Sequence, residues 1–155
     1  MTDVELIEKK LAFIETCVRE LRALSRPAAI ATDLREERFA AYTLQIAVQA
    51  ALDVASHIVS DERLGEPETN RQLFDLLVRA GWLAPGLTDT MHRMAGFRNV
   101  VVHGYQTLDK AILVDIVSNR LEDLLNFAGA IRQSLAKRAV ESAGRPPSGG
   151  ERPQI

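Results

Sequence analysis

The sequence predicts an all-α domain, an antiparallel bundle of four to five helices. Apolar residues recur at steps of three and four along most of the chain, and capping residues and Gly/Pro breaks separate those runs. The one β-branched run, Val100 to Val102, has no partner strand elsewhere.

Val4, Ile7, Leu11, Ile14, Val18 and Leu21 follow the helical period, so the first segment is an amphipathic helix ending before Pro27, whose ring disfavours helical backbone in the preceding residue. Thr32 or Asp33 caps a long second helix, which carries Leu44, Val48, Leu52, Ala55 and Val59 up to the Gly65-Glu66-Pro67 break. Thr69 with Gln72 three residues on has capping-box spacing, and Leu73, Leu76, Leu77 and Ala80 lead from it to Gly81, a natural C-terminal stop. Trp82 then plugs the turn to the next helix.

Pro85 suits the first turn of a fourth helix that runs to about His103, where Gly104 supplies the freedom to leave it. Its apolar stripe has two registers. One passes through Leu87, Met91, Met94 and Val101 with Arg98 on the seam; the other passes through Phe97 and leaves Arg98 at the edge. The last segment, about Leu108 to Lys137, carries Leu113, Val117, Leu121, Leu124, Phe127, Ile131 and Leu135 and reads as one long helix. Residues 1–138 thus form one helical domain. Residues 139–155, rich in Pro, Gly and charge with little to bury, are expected to be a disordered tail.

A net charge of −2 argues against a broad basic coat for nucleic acid while permitting a small basic cleft, and an aromatic content of 5% disfavours a base-stacking platform. The single cysteine, Cys17, cannot form an internal disulfide and is expected to be an inert, half-buried thiol in a reducing setting. No Cys/His spacing suits a metal, and no cofactor is expected. No window approaches the roughly 18 uninterrupted apolar residues of a membrane span, and the N-terminus lacks a signal-peptide pattern. A cytoplasmic protein with no membrane partner is the expectation.

The chemistry concentrates in Arg98-Asn99-Val100-Val101-Val102-His103-Gly104-Tyr105. Arginine is a permanent cation with a fork suited to phosphate, and histidine exchanges protons near neutrality. On a straight helix Arg98 and His103 lie about 140° apart and flank a face without touching. A helix end at Gly104 would let His103 and Tyr105 swing toward Arg98. Read blandly, Arg98 snorkels, Asn99 faces water, His103 ends a helix and Tyr105 packs with its hydroxyl bonded. Asp53 and His57, four apart, can pair on one face of the second helix, either as a structural pair or as groove-lining residues. Arg93 is a further groove candidate, whereas His92 is placed on a solvated face.

The eight residues R-N-V-V-V-H-G-Y resemble the signature of the HEPN superfamily, specifically the HepT-like ribonuclease toxins of prokaryotic toxin-antitoxin pairs. The flanking M-H-R-M-A-G-F, L-D-K-A-I-L-V-D-I-V and L-E-D-L-L-N-F, and D-V-A-S-H from Asp53 to His57, are similar to the same family, so the likeness spans about Met1 to Lys137. The resemblance implies a symmetric homodimer whose two Arg/His sets face one groove and cut RNA without a metal. In that scheme Arg98 holds the phosphate, Asn99 orients it or His103, and His103 moves the proton. Tyr105 is the implied acceptor of an adenylyl group from a small nucleotidyltransferase antitoxin, which silences the toxin. The same bundle could instead be a non-catalytic docking subunit for a nucleotidyltransferase, or a structural dimer without chemistry.

Overall fold

The computed structural model describes residues 2–144, and those residues hold six α-helices, three short 3-10 turns and no strand. Helix α1 (Val4–Leu24) starts at Asp3, whose side chain accepts from the Leu6 amide, and buries Ile7, Leu11, Ile14, Cys17, Val18 and Leu21. Of the two candidate caps for α2 (Leu34–Asp61), the structure uses Asp33, which accepts from the Arg35 amide at 2.9 Å. Its short carboxylate satisfies a donor that the first turn leaves without a partner. Helix α2 packs against α1, α3, α4 and α5, as well as α3 (Asn70–Arg79) and α4 (Thr88–His103) individually pairing with each other. It is therefore the central element, and its apolar residues are buried on several sides.

Half of the expected capping box forms at α3: Thr69 Oγ1 accepts from the Gln72 amide, but Gln72 Oε1 returns to the Glu68 amide at 2.6 Å rather than to Thr69. The helix ends as the sequence suggests. Gly81 takes φ +82°, and the amides of Trp82 and Gly81 donate to the carbonyls of Leu77 and Val78. This doubly bonded exit needs a left-handed residue, which glycine provides without a Cβ clash. Trp82 is 1% exposed, and the Arg138 guanidinium lies 4.2 Å from its ring centre.

Pro85 occupies a 3-10 turn, Pro85–Leu87, just ahead of α4 rather than the helix itself. Helix α4 buries Met91, Met94, Ala95, Phe97 and Val101, so the register through Phe97 prevails and Arg98 sits half-buried at the edge. That edge spares the cost of placing a guanidinium on the seam.

The expected single last helix is two. Helix α5 (Lys110–Asn119) is capped by Asp109, which accepts from the Ala111 amide, and Arg120 then leaves the helical region at φ −121°, ψ 2° before α6 (Leu121–Gly144). One non-helical residue barely shifts an apolar repeat, and Leu113, Val117, Leu121, Leu124, Phe127 and Ile131 are all buried across the break. Helix α6 also continues to Gly144, past the boundary drawn at 138, with residues 139–144 all exposed. The rest of the expected tail lies outside the described residues.

Phe74 of α3 meets Phe127 of α6 edge to face, with ring centres 5.9 Å apart. Arg132 ties α6 to α1 through Glu8 and Glu15, both at 2.6 Å. Cys17 is fully buried rather than half-buried, and burial, with a smaller contribution from Glu20, pushes its thiol up to about 11. No helix among the described residues is long and apolar enough to cross a membrane.

Candidate functional site

Helix α4 ends where the chemistry-bearing residues lie. Gly104 adopts φ +131°, ψ 148°, and a Cβ there would stand 2.8 Å from Gln106 Oε1, so the chain turns out of the helix through a conformation that favours glycine. The 3-10 turn Tyr105–Thr107 follows. This turn swings Tyr105 back over α2, where its hydroxyl donates to Gln45 Oε1 at 3.4 Å and the Arg38 guanidinium covers its ring at 4.4 Å. Tyr105 is half-buried; His103 is exposed, and among the described residues no hydrogen bond engages its ring.

Arg98 also reaches α2. Its Nε donates to Gln49 Oε1 at 2.7 Å, and Nη1 donates to Asn99 Oδ1 at 3.3 Å. Asn99 Oδ1 accepts a second bond, 3.0 Å, from Asn70 Nδ2 at the start of α3. With its oxygen occupied twice, the Asn99 amide nitrogen is the group left to donate outward. Gln45 and Gln49 are one helical turn apart on α2, about 6 Å along the axis, so Tyr105 and Arg98 hang from successive rungs of one polar ladder.

Asp53 is the next rung, and it does not pair with His57 as the spacing suggested. Its Oδ1 accepts from Gln49 Nε2 at 2.9 Å and its Oδ2 meets Lys10 Nζ of α1 at 3.2 Å. His57 turns to the carboxylate on its other side, Asp61, 3.1 Å away, a close approach without hydrogen-bond geometry. Asp53 is instead engaged by Gln49 and Lys10, one on each oxygen. A groove of about 380 Å³ between α1 and α2 is lined by Lys10, Asp53, His57 and Ser60.

His92 is not on a solvated face. It is half-buried and its Nε2 lies 2.6 Å from Asp75 Oδ1 of α3, while its backbone carbonyl accepts from Arg71 Nε. Arg71 can lie across α4 because residue 96 is glycine; a Cβ there would stand 2.6 Å from Arg71 Nη2. Arg93 pairs with Asp115 of α5 at 3.4 Å. Arg71 and Arg93 rim a second groove of about 580 Å³ between α4 and α5, floored by Phe97, Val100, Ile112 and Ile116. Among the described residues no three His, Cys, Asp or Glu side chains cluster to hold a metal.

The structure thus joins Arg98, Asn99 and Asp53 through shared partners and brings Tyr105 within a turn of them. Arg93 faces the α4/α5 groove, and His57 the α1/α2 groove. Sequence reasoning missed Gln45, Gln49 and Asn70. A signal existed for the first two: Gln45, Gln49, Asp53 and His57 recur every four residues through the mostly apolar middle of α2, a polar stripe that must face something other than core. Asn70 carried no comparable mark.

Comparison with known proteins identifies the family. The family model "Ribonuclease HepT-like" matches residues 11–131. The chain is 30% identical over 129 residues to the mRNA nuclease HepT of Shewanella oneidensis, covering 83% of this chain and 97% of that protein. It is 28% identical over 113 residues to a tRNA nuclease HepT of Aphanizomenon flos-aquae, covering 70% and 77%. Among solved structures, the tri-AMPylated HEPN toxin of Shewanella oneidensis in complex with an MNT antitoxin superposes with a TM-score of 0.75 at 30% identity, over 86% of this chain and 99% of that one. The cytosolic Bacillus subtilis protein YutE shares the fold alone, at 18% identity and a TM-score of 0.79 over 88% and 93% of the two chains. With a family model matched across most of its helices and its R-N-V-V-V-H-G-Y segment at the end of α4, this chain belongs to the ribonuclease HepT-like family.

Proposed function

We propose that this protein is a metal-independent endoribonuclease toxin, with Arg98, Asn99 and His103 as its catalytic residues. The observation that carries the reading is the setting of Arg98: its guanidinium is held at a core edge by Gln49 and Asn99, with no carboxylate bonded to it among the described residues, on the same helix as the exposed His103. Such a cation is ready for phosphate. RNA carries its own nucleophile. His103 takes the proton of the 2′-hydroxyl, the 2′-oxygen forms a bond to phosphorus, the bond to the 5′-oxygen breaks, and that oxygen takes up a proton from water, to which His103 later returns the one it removed. Arg98 and the Asn99 amide hold the charge that grows on the phosphoryl oxygens. The products end in a cyclic phosphate.

The active form is a homodimer with two such sets facing one groove. Val100 and Val102 support this, being 39% and 50% exposed on a helix whose other apolar residues are buried. A nucleotidyltransferase antitoxin silences the enzyme by adenylylating Tyr105. The hydroxyl lies one α2 turn from the Arg98 anchor, so an attached nucleotide would put bulk and negative charge where the RNA phosphate must sit. Relatives named for messenger- and transfer-RNA cleavage, and a structural relative that is AMPylated and bound to an antitoxin, support RNA and such a partner.

The test is cleavage of RNA in chelator by protein whose intact mass shows no adduct, beside Arg98→Ala and His103→Ala. Cleavage that persists in chelator and disappears in both variants is expected. Failure of the unmodified protein to cut either messenger or transfer RNA would leave the docking-subunit reading in its place.

A further inference from the structure

We infer that Gln49 is a positioning residue for Arg98: it fixes which edge of the guanidinium faces the substrate phosphate and keeps the cation un-neutralised. This rests on the nuclease reading for its consequence, though its geometry stands apart from activity. Gln49 is the only link between Arg98 and Asp53 among the described hydrogen bonds, accepting from Arg98 Nε at 2.7 Å and donating to Asp53 Oδ1 at 2.9 Å. The amide can point only one way. Reversed, its NH₂ would face the guanidinium and its oxygen the carboxylate, two repulsive contacts in place of two attractive ones. Asp53 is itself anchored to α1 by Lys10 at 3.2 Å, so the ladder runs Lys10, Asp53, Gln49, Arg98 across three helices.

Two consequences follow from the chemistry. A phosphate can grip an arginine side-on, through Nε and one terminal nitrogen, or end-on, through the two terminal nitrogens. Gln49 occupies Nε and so leaves the end-on grip, with Asn99 fixing one hydrogen of Nη1. A neutral amide also passes the orienting influence of Asp53 to Arg98 without a direct ion pair. A carboxylate at position 49 would still accept from Arg98 Nε, but it would lose the bond donated to Asp53 and would compete with phosphate for the guanidinium charge.

Gln49→Leu and Gln49→Glu separate these effects. In Gln49→Leu the guanidinium still attracts phosphate but is no longer aimed, so kcat should fall about tenfold with KM within about twofold, the size expected for one hydrogen bond to a charged group. In Gln49→Glu the aim survives and the charge does not, so KM should rise about tenfold while kcat changes less. A general loosening of the fold would not split the two constants in opposite ways. The second readout needs no cleavage: the Nε–H proton resonance of Arg98, assigned by its loss in Arg98→Lys, should exchange slowly with solvent in the wild type and in Gln49→Glu, and about tenfold faster in Gln49→Leu. Unchanged exchange in Gln49→Leu, or wild-type kinetic constants in both variants, would overturn the inference. If Arg98 shows the exchange pattern but the wild type cuts no RNA, the nuclease reading falls and the positioning of Arg98 by Gln49 stands.

Discussion

Replacing Phe74 with alanine tests the packing that holds the site's third helix in place. Phe74 is 0% exposed and presents its ring to Phe127 of α6 at 5.9 Å and 88°. Removing a fully buried phenylalanine costs about 3–5 kcal/mol from lost transfer free energy and the cavity left behind. Loss of the edge-to-face pair, about 0.5–1.5 kcal/mol, places the expectation toward the top of that range. For a chain of this length each kcal/mol lowers the melting temperature by about 2–4 °C, so a fall of about 10–15 °C is expected. Urea unfolding followed by circular dichroism measures the free energy, and Phe74→Leu, which refills part of the space, should lose about 1–2 kcal/mol. Arg79→Ala, at an exposed position on the same helix, should stay within about 0.5 kcal/mol. The same helix carries Asn70 and Asp75, which hold Asn99 and His92, so loosening it also loosens the site from behind. A loss below about 1 kcal/mol for Phe74→Ala would refute the idea that α3 is fastened through this ring.

Three further outcomes are expected. The Cys17 thiol, raised to about 11 by burial, is about one part in a thousand thiolate at pH 8, against about one quarter for a free thiol, so native protein should react with a disulfide reagent at least about a hundredfold more slowly than protein in urea. Glu15 has its pKa lowered chiefly by the hydrogen bond from Arg132, so the pair's contribution is complete above the ordinary carboxyl value of 4.5 and is lost as pH falls through the lower folded value. The stability difference between wild type and Arg132→Met should thus be constant near neutrality, at about 1 kcal/mol, and shrink below pH 4.5; a difference that grows on acidification would contradict the assignment. Light scattering should give a dimer at micromolar concentration and a monomer for Val102→Lys, whose wild-type side chain is half exposed; a monomeric wild type would end the shared-groove model.

Several features of this protein were fixed by short-range rules that need no tertiary knowledge. The helix face in α1, the cap at Thr69 and the left-handed exit at Gly81 each follow from local sterics and hydrogen bonding, and all three are seen. The stripe from Leu113 to Ile131 was legible as a buried face, but the break at Arg120 was not, because apolar periodicity carries over a single non-helical residue. The R-N-V-V-V-H-G-Y segment marked Arg98, Asn99, His103 and Tyr105 as candidates. What it could not supply was their partners. Whether α4 turned on Phe97 or on Arg98 depended on how α2 and α3 packed against it, and that packing put Arg98 at the edge beside Gln49. The pairing of Asp53 with Lys10 rather than His57, and of His92 with Asp75, joins residues on different helices. Local spacing determined which side chains share a helix face; only the packing of one helix on another decided which of them meet, since a hydrogen bond goes to the partner that tertiary contact brings within reach.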